Sequence, residues 1–192
     1  MMAPTSLAFP AHRDDGIATP ASLTGRGIAL RHAQSSDLPY LRELYASTRE
    51  QELAQVAWPP QARQAFLDSQ FALQHLHYVN HFPQAAFLVI EQHGDPVGRY
   101  YLQRGDASRA HHDEVPGDDL LIDISLGPAV RGQGLATALI GDSQRQAARH
   151  GRGMQLHVQC DNTGAARLYQ RLGFSVVADE GAYQRLRWDP RG

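Results

Sequence analysis

A strand, a glycine loop and a helix start follow one another between Leu120 and Ala136, and this junction constrains the fold more than any other stretch. The β-branched apolar run ends at Gly127-Pro128, and Gly132 and Gly134 then lead into an amphipathic helix. The first amides of a helix have no partner within it and carry partial positive charge. Glycine lets the backbone approach an anion closely. The junction therefore predicts a phosphate site at a helix N-terminus.

Individual residues exclude two other kinds of phosphate loop. A dinucleotide-binding fingerprint requires a third glycine three residues after Gly134, where the chain has Thr137. A Walker loop requires a lysine, and this chain contains no lysine.

The pattern Arg-x-x-Gly-x-Ala that begins at Arg131 resembles the acyl-coenzyme A signature of the GCN5-related N-acetyltransferases (GNAT), in which loop amides hold the pyrophosphate. The stretch from Asn162 to Phe174 is similar to the family's second cofactor motif, with its Asn, its helix-borne Tyr169 and its terminal Gly-Phe. The two motifs have the order and separation that the family requires. The resemblance covers roughly residues 28–188.

The resemblance implies an α/β (α+β) fold with a single mixed, mostly antiparallel sheet of about seven strands and four helices. We expect a flexible N-terminal leader over residues 1–27, which has no apolar periodicity, and one acetyltransferase domain over residues 28–190. Runs rich in β-branched and aromatic residues predict the strands. They are 28–31, 85–91, 97–103, 119–126, 154–160, 175–178 and 183–188.

Two helices are predicted between the first and second strands. Ser36-Asp37 offers a cap for the first helix, and Trp58-Pro59-Pro60 interrupts it because proline lacks an amide donor. A second helix then extends to about Asn80. Alternating steps of four and three predict that its inward face consists of Ala62, Phe66, Ser69, Leu73 and Leu76.

The resemblance assigns cofactor contacts to the end of the central strand, to the glycine loop and to the helix after Asn162. These residues are Ile124, Leu126, Arg131, Gly132, Gln133, Gly134, Leu135, Ala136, Asn162, Ala165 and Tyr169. In the family the strand before Asn162 splays from its neighbour and admits the pantetheine arm, and Tyr169 would protonate the leaving coenzyme A sulfur. Asn162 has an equally simple interpretation as a helix cap.

Asp123 is the second candidate catalytic residue, because it is an ionisable residue between two isoleucines of the central strand. An unpaired charge there is costly, and burial moves a carboxyl pKa toward the range of a general base. Asp123 could accept the proton of the attacking amine, directly or through water. The alternative is a structural role in which it hydrogen-bonds a neighbouring loop or a substrate amine.

Three aromatic residues are candidates for acceptor binding, because the first two helices and their junction wall the acceptor pocket in the resembled fold. They are Trp58, Phe71 and Tyr78, and each has the alternative interpretation of a core aromatic. His77 and His81 have i, i+4 spacing but no further ligand pattern, so no metal is expected. The acceptor remains open among aminoglycosides, polyamines, amino acids, peptide N-termini and protein lysines.

Composition restricts partners and compartment. A formal net charge of −2 gives no general attraction to nucleic acid or to anionic membranes. The single Cys160 excludes an internal disulfide, fits a reducing, cytoplasmic location, and is expected to be a small buried residue. No stretch has the apolar core of a signal peptide. A homodimer remains open, since the family often pairs sheets at an edge.

The predicted function is transfer of an acetyl group from acetyl-coenzyme A (acetyl-CoA) to a primary amine by direct attack in a ternary complex. The alternative is a coenzyme A-binding module that has lost turnover and acts in regulation or sensing. Tyr169 and a carboxylate on the central strand favour the enzyme.

Overall fold

The computed structural model describes residues 7–12, 15–105 and 117–191. Within these ranges seven strands form one mixed sheet. They are β1 (Ile28–His32), β2 (Ala86–Gln92), β3 (Asp95–Gln103), β4 (Asp119–Leu126), β5 (Met154–Gln159), β6 (Ser175–Glu180) and β7 (Tyr183–Trp188). The spatial order is β1-β2-β3-β4-β5-β7-β6. Every neighbouring pair is antiparallel except β4 and β5, which are parallel. The predicted fold class is confirmed.

Five α-helices accompany the sheet in the described part of the chain, one more than predicted. They are α1 (Ala21–Thr24), α2 (Leu38–Leu53), α3 (Pro60–His81), α4 (Leu135–Arg149) and α5 (Thr163–Arg171). The additional helix, α1, is a single turn that was not expected within the leader. No helix of the described ranges has the length and apolar character needed to cross a bilayer.

The helices cover both faces of the sheet, because side chains alternate between the two faces along each strand. On one face, α4 buries Leu139 and Ile140 in a core cluster that includes Leu88 of β2 and Leu156 of β5. On the other face, α3 contributes Val79 to a cluster with Phe87 of β2 and Tyr101 of β3. The apolar stripe predicted for α4 is therefore buried as expected.

The inward face predicted for α3 is wrong. Leu73 is 62% exposed, and Ala62 and Ser69 are also exposed. The buried residues follow steps of four and are Leu67, Phe71, His75 and Val79. The error arises because histidine was treated as a polar, outward-facing residue, whereas the structure buries the ring of His75.

The described part of the leader packs against the domain instead of extending freely from it. Leu23 is only 1% exposed and belongs to the main core cluster. The Phe9 ring lies edge-on to the His75 ring at 4.8 Å, and the His75 Nε2 is 2.7 Å from the Leu7 carbonyl oxygen. Thr19 accepts a hydrogen bond from the first strand. Residues 1–6, 13 and 14 of the leader lie outside the described ranges.

Cys160 is exposed, which corrects the expectation of a buried residue. β5 ends at Gln159, one residue earlier than predicted, so Cys160 lies in the turn before α5. Its thiol donates to the Gly181 carbonyl oxygen at 3.3 Å.

Candidate active site

A cleft opens where β4 and β5 separate. The parallel pairing begins at Asp119 with Met154 and ends at Leu121 with Leu156, although β4 continues to Leu126 and β5 to Gln159. Both strands keep their other neighbours, so the facing edges beyond Leu121 and Leu156 are unpaired with each other. The resulting cleft has a volume of about 520 Å³. This separation of neighbouring strands is the one that the resemblance implied.

The glycine loop lies at one end of this cleft. Gly132 and Gly134 have φ values of +73° and +78°, in the left-handed region that other residues adopt at a cost. No atom lies within 4 Å of a Cβ built on either glycine, so both face open space. The amide of Ala138 bonds to the Gly134 carbonyl, as the first i→i−4 bond of α4. The three amides before it form the helix start, where an anion fits.

Side chains of the loop hold its shape. The Arg131 Nε donates to the Leu126 carbonyl oxygen at 2.9 Å, and its Nη2 lies 3.2 Å from the Ser47 hydroxyl. The Gln133 amide donates to the Ala129 carbonyl oxygen at 2.9 Å. These contacts turn both side chains back onto the protein. The loop therefore offers an anion mainly its backbone amides.

Tyr169 lies on α5 and lines the cleft, with only 8% of its surface exposed. Its hydroxyl has no hydrogen-bond partner among residues 7–12, 15–105 and 117–191. Burial raises the pKa of Tyr169, and the negative charge of Asp123 raises it further. The phenol is therefore neutral at physiological pH, and its hydroxyl donates no hydrogen bond to the described residues. Asn162 caps the same helix, because its Oδ1 accepts from the Ala165 amide at 3.1 Å.

Asp123 is paired, contrary to the isolation that its isoleucine neighbours suggested. Its Oδ1 accepts from the Arg99 Nε at 3.0 Å and from the Ser125 hydroxyl at 2.8 Å. Its Oδ2 accepts from the Arg99 Nη2 at 2.8 Å and from the Tyr78 hydroxyl at 3.0 Å. A carboxylate has about four lone-pair sites. The four described donors therefore saturate Asp123.

Arg99 is the centre of this cluster, and the sequence did not single it out. Only 2% of the residue is exposed. Its guanidinium lies 5.3 Å from the Tyr101 ring centroid and 6.0 Å from that of Tyr78, and its Nη2 also donates to the Gln74 Oε1 at 2.8 Å. Burial alone would lower the pKa of Arg99, but the Asp123 carboxylate together with Tyr101 and Tyr78 outweighs burial and raises it. Arg99 and Asp123 thus form a buried, charged pair.

One face of α2 also lines the cleft, next to Ser47, whose hydroxyl accepts from Arg131 of the glycine loop. Tyr45, Arg49 and Glu52 follow one another at intervals of four and three residues, which places them on the same side of the helix. Tyr183, at the start of β7, also lines the cleft. Sequence patterns offered Glu52 only as an alternative base and did not point to Tyr45, Arg49 or Tyr183. The polar i, i+4, i+7 stripe beside the buried positions of α2 was the signal that could have identified them.

Nine of the predicted site residues line the cleft together. They are Tyr78, Asp123, Ile124, Leu126, Arg131, Ala136, Asn162, Ala165 and Tyr169. Gly132, Gln133 and Gly134 form the adjoining loop, and Leu135 points into the core.

Two of the three aromatic residues predicted for acceptor binding lie elsewhere. Phe71 is 4% exposed and packs with Tyr45 and His75 in the core between α2 and α3. Trp58 is 40% exposed and contacts Phe66 outside the lining of the cleft. Only Tyr78 reaches the cleft, because it projects from α3 toward β3 and β4.

Comparison with known proteins gives a family match across most of the chain. A model described as "Acetyltransferase (GNAT) family" matches residues 39–174. An uncharacterized N-acetyltransferase of Methanocaldococcus jannaschii is 36% identical over 89 residues, which are 46% of this chain and 38% of that protein. A mycothiol acetyltransferase of Mycolicibacterium vanbaalenii is 32% identical over 104 residues, 48% of this chain and 35% of that protein. The matches span little more than a third of these relatives.

Solved structures share the fold over nearly their whole length. The PaiA N-acetyltransferase of Thermoplasma acidophilum in complex with coenzyme A matches with a TM-score of 0.60 at 14% identity, over 84% of this chain and 98% of that chain. An acetyltransferase of Thermus thermophilus matches with a TM-score of 0.59 at 20% identity, over 84% and 96%. Because the family match covers well over half of its residues and the architecture agrees, the chain belongs to the acetyltransferase (GNAT) family.

Proposed function

We propose that this protein transfers an acetyl group from acetyl-CoA to a primary amine by direct attack within a ternary complex. The acceptor ammonium releases a proton to solvent and attacks as the neutral amine, the thioester C–S bond breaks, and the coenzyme A thiolate takes a proton from Tyr169. The observation that carries the proposal is a single cleft whose lining has two chemically different parts. The separated strands β4 and β5 and the glycine loop form one part, and the polar face of α2 with Tyr78 of α3 forms the other, which we call the acceptor end. Both substrates could therefore meet beside Tyr169.

The residues at the loop end fit coenzyme A. Gly132 and Gly134 leave open space in front of the start of α4, and the unpaired edges of β4 and β5 offer backbone groups to an extended amide-bearing arm. The structure of the Thermoplasma acidophilum neighbour contains coenzyme A, which supports this assignment. When bound, acetyl-CoA supplies an acyl group on a thiol leaving group.

Tyr169 is the proposed general acid. Its hydroxyl is protonated at neutral pH and has no partner in the described ranges, so it is available to a departing sulfur. Direct attack is favoured over an acyl-enzyme, because the described residues that line the cleft include no cysteine. Cys160 points to the Gly181 carbonyl instead.

The contacts of Asp123 favour the structural one of its two possible roles. A general base must present a free lone pair to the proton that it accepts. Asp123 has no free lone-pair site while Arg99, Ser125 and Tyr78 all donate to it. We therefore assign it a positioning role that holds Arg99 and Tyr78 at the acceptor end.

Thiol release from acetyl-CoA in the presence of a panel of amines tests the proposed function. We expect thiol release that depends on the amine, together with an acetylated product detected by mass spectrometry. If coenzyme A raises the melting temperature but no amine in the panel releases thiol, the chain is a coenzyme A-binding module and the proposal of an enzyme fails.

A further inference from the structure

The charges that line the acceptor end indicate which kind of amine this site accepts. The described lining holds two carboxylates, Asp123 and Glu52, and three guanidinium groups, Arg49, Arg99 and Arg131. Asp123 and Arg99 neutralise each other in the buried pair. Arg131 belongs to the glycine loop and already donates to the Leu126 carbonyl and to the Ser47 hydroxyl of α2. Arg49 and Glu52 are therefore the charged residues that an acceptor can engage without breaking a buried contact.

Arg49 and Glu52 form an ion pair on one side of α2 that a ligand can enter. The Arg49 Nη2 donates to the Glu52 Oε1 at 3.1 Å. The Arg49 Nε lies 3.1 Å from the Glu52 Oε2, but this buried N–H has no aligned acceptor in the described part of the chain. The Glu52 side chain is 60% exposed. An ion pair with one solvent-exposed partner contributes little to stability, so an incoming ligand can replace Glu52 or Arg49 at little cost.

We propose that the acceptor is a small molecule with a carboxylate next to its amine, such as an α-amino acid, and that Arg49 and Glu52 select it. This inference rests on the proposed acetyl transfer. Arg49 binds the acceptor carboxylate, for which the planar guanidinium is well suited, and Glu52 binds the acceptor ammonium. Each partner gains a new counter-charge, so the exchange leaves neither charge unpaired.

A polyamine fits this surface less well. It would satisfy Glu52 but leave Arg49 without a counter-charge, and a second ammonium would approach the positive charge of Arg49. The guanidinium of Arg49 already lies 6.0 Å from the Tyr45 ring centroid, so that aromatic face has a cation near it. The arrangement thus disfavours acceptors whose only charges are positive.

The acceptors that test the proposal come in matched sets. Each set contains an α-amino acid, its primary amide and the amine that lacks the carboxyl group, and several side chains are sampled. Initial rates of thiol release give kcat and KM, and calorimetry in the presence of coenzyme A gives the acceptor Kd. We expect the amino acid of at least one set to have a KM and a Kd about ten-fold or more below those of its amide and amine.

Substitutions on α2 assign the selection to individual residues. Arg49→Gln should remove the preference for the carboxylate by raising the KM of the amino acid about ten-fold, with little change for the amine. Glu52→Gln should raise the KM of all three compounds. The matched control is Arg42→Gln on the same helix, because Arg42 pairs with Asp68 at 3.6 Å outside the cleft lining. It should leave all values unchanged.

The outcomes separate the proposals. If the unmodified protein acetylates amines and amides as well as or better than amino acids, the inference is overturned and acetyl transfer stands. An Arg49→Gln variant that weakens all three compounds equally also overturns it. If no compound releases thiol, the proposed function fails, and the calorimetric Kd values of the matched sets still decide whether the site selects a carboxylate.

Discussion

At the scale of single residues, the acceptor end of the cleft depends on a buried ion pair. Arg99 has 2% of its surface exposed, and Asp123 satisfies its charge through two hydrogen bonds. Removing one partner of such a pair leaves an uncompensated buried charge, which costs about 3–5 kcal/mol. The same pair positions the Tyr78 hydroxyl. Asp123 therefore couples stability to the proposed acceptor site.

Asp123→Asn should lower the free energy of unfolding by about 3 kcal/mol, because the buried Arg99 guanidinium loses its counter-charge. Urea denaturation measures this change. The double variant Arg99→Gln/Asp123→Asn should recover part of the lost stability, as a double-mutant cycle detects. Recovery of turnover in the double variant would agree with a positioning role. A stable Asp123→Asn variant whose turnover falls about a hundred-fold would instead identify Asp123 as the base.

Tyr169→Phe should preserve the fold and most of the coenzyme A affinity, because the Tyr169 hydroxyl has no partner in the described ranges whose loss would cost stability. Turnover should fall by about a hundred-fold, since general acid catalysis contributes on the order of 10²–10⁴. The decrease should be smallest with an acyl donor whose thiol leaves more easily. Full turnover combined with a lower melting temperature would show that this tyrosine is structural.

At the scale of elements, β4 has different surroundings at its two ends. The buried Asp119 carboxylate at its start bonds to Arg104 at 2.8 Å and to Arg152 at 2.9 Å, which fixes β4 beside β5. Beyond Leu121 the two strands separate, and the loop that begins after Leu126 turns into α4. The cleft therefore lies between the start of β4, which these ion pairs hold in place, and the start of α4.

The glycine loop provides a prediction at the same scale. Gly134→Ala should weaken coenzyme A binding by about ten-fold, or about 1.4 kcal/mol, because alanine is strained at a φ of +78° and its methyl group enters the open space before α4. Calorimetry measures the affinity. Gly141→Ala, in the interior of α4, is the matched control. Its Cβ would meet only the Arg145 side chain at 3.7 Å, and it should leave affinity unchanged. Equal affinities of both variants would contradict the phosphate assignment.

At the scale of the whole molecule, the N-terminal segment is joined to the helix that carries the acceptor-side residues. His75 is buried between Phe9 and Phe71, and its Nε2 meets the Leu7 carbonyl. Gln74 and Tyr78, the neighbours of His75 on α3, line the cleft. The packing of the N-terminal segment thus supports the same helix that forms the acceptor end.

Acidification should destabilise the protein through this contact. Burial, together with the nearby charge of Arg99, lowers the pKa of His75 from its usual 6.5 despite the opposing effect of the Leu7 carbonyl. The unfolded chain therefore binds a proton more readily than the folded one below about pH 6.5. The free energy of unfolding should fall as the pH decreases from about 6.5 toward the folded-state pKa and then level off for this group.

Urea denaturation at a series of pH values measures this effect. His75→Phe should reduce the slope of stability against pH between about pH 6.5 and 5. An unchanged slope in His75→Phe would show that other groups determine the acid sensitivity.

The sequence by itself determined the cofactor half of this protein. The glycine loop, the Asn162 cap, the helix position of Tyr169 and the strand segments depend on local rules: left-handed φ values, helix capping and apolar periodicity. Each of these rules acts over a few residues, so a pattern in one dimension is enough to predict it.

Only the tertiary structure decided the acceptor half. Arg99 and Asp123 are 24 positions apart in the sequence, and Tyr78 is 45 positions from Asp123, yet all three meet in one buried cluster. The burial of His75 and the exposure of Cys160 likewise depend on which elements pack against them. The pairing of a buried charge depends on side chains brought together from separate strands and helices. Residue type and local spacing do not predict such long-range contacts. The sequence therefore left two roles open for Asp123, and its contacts in the structure favour the positioning role over the general base.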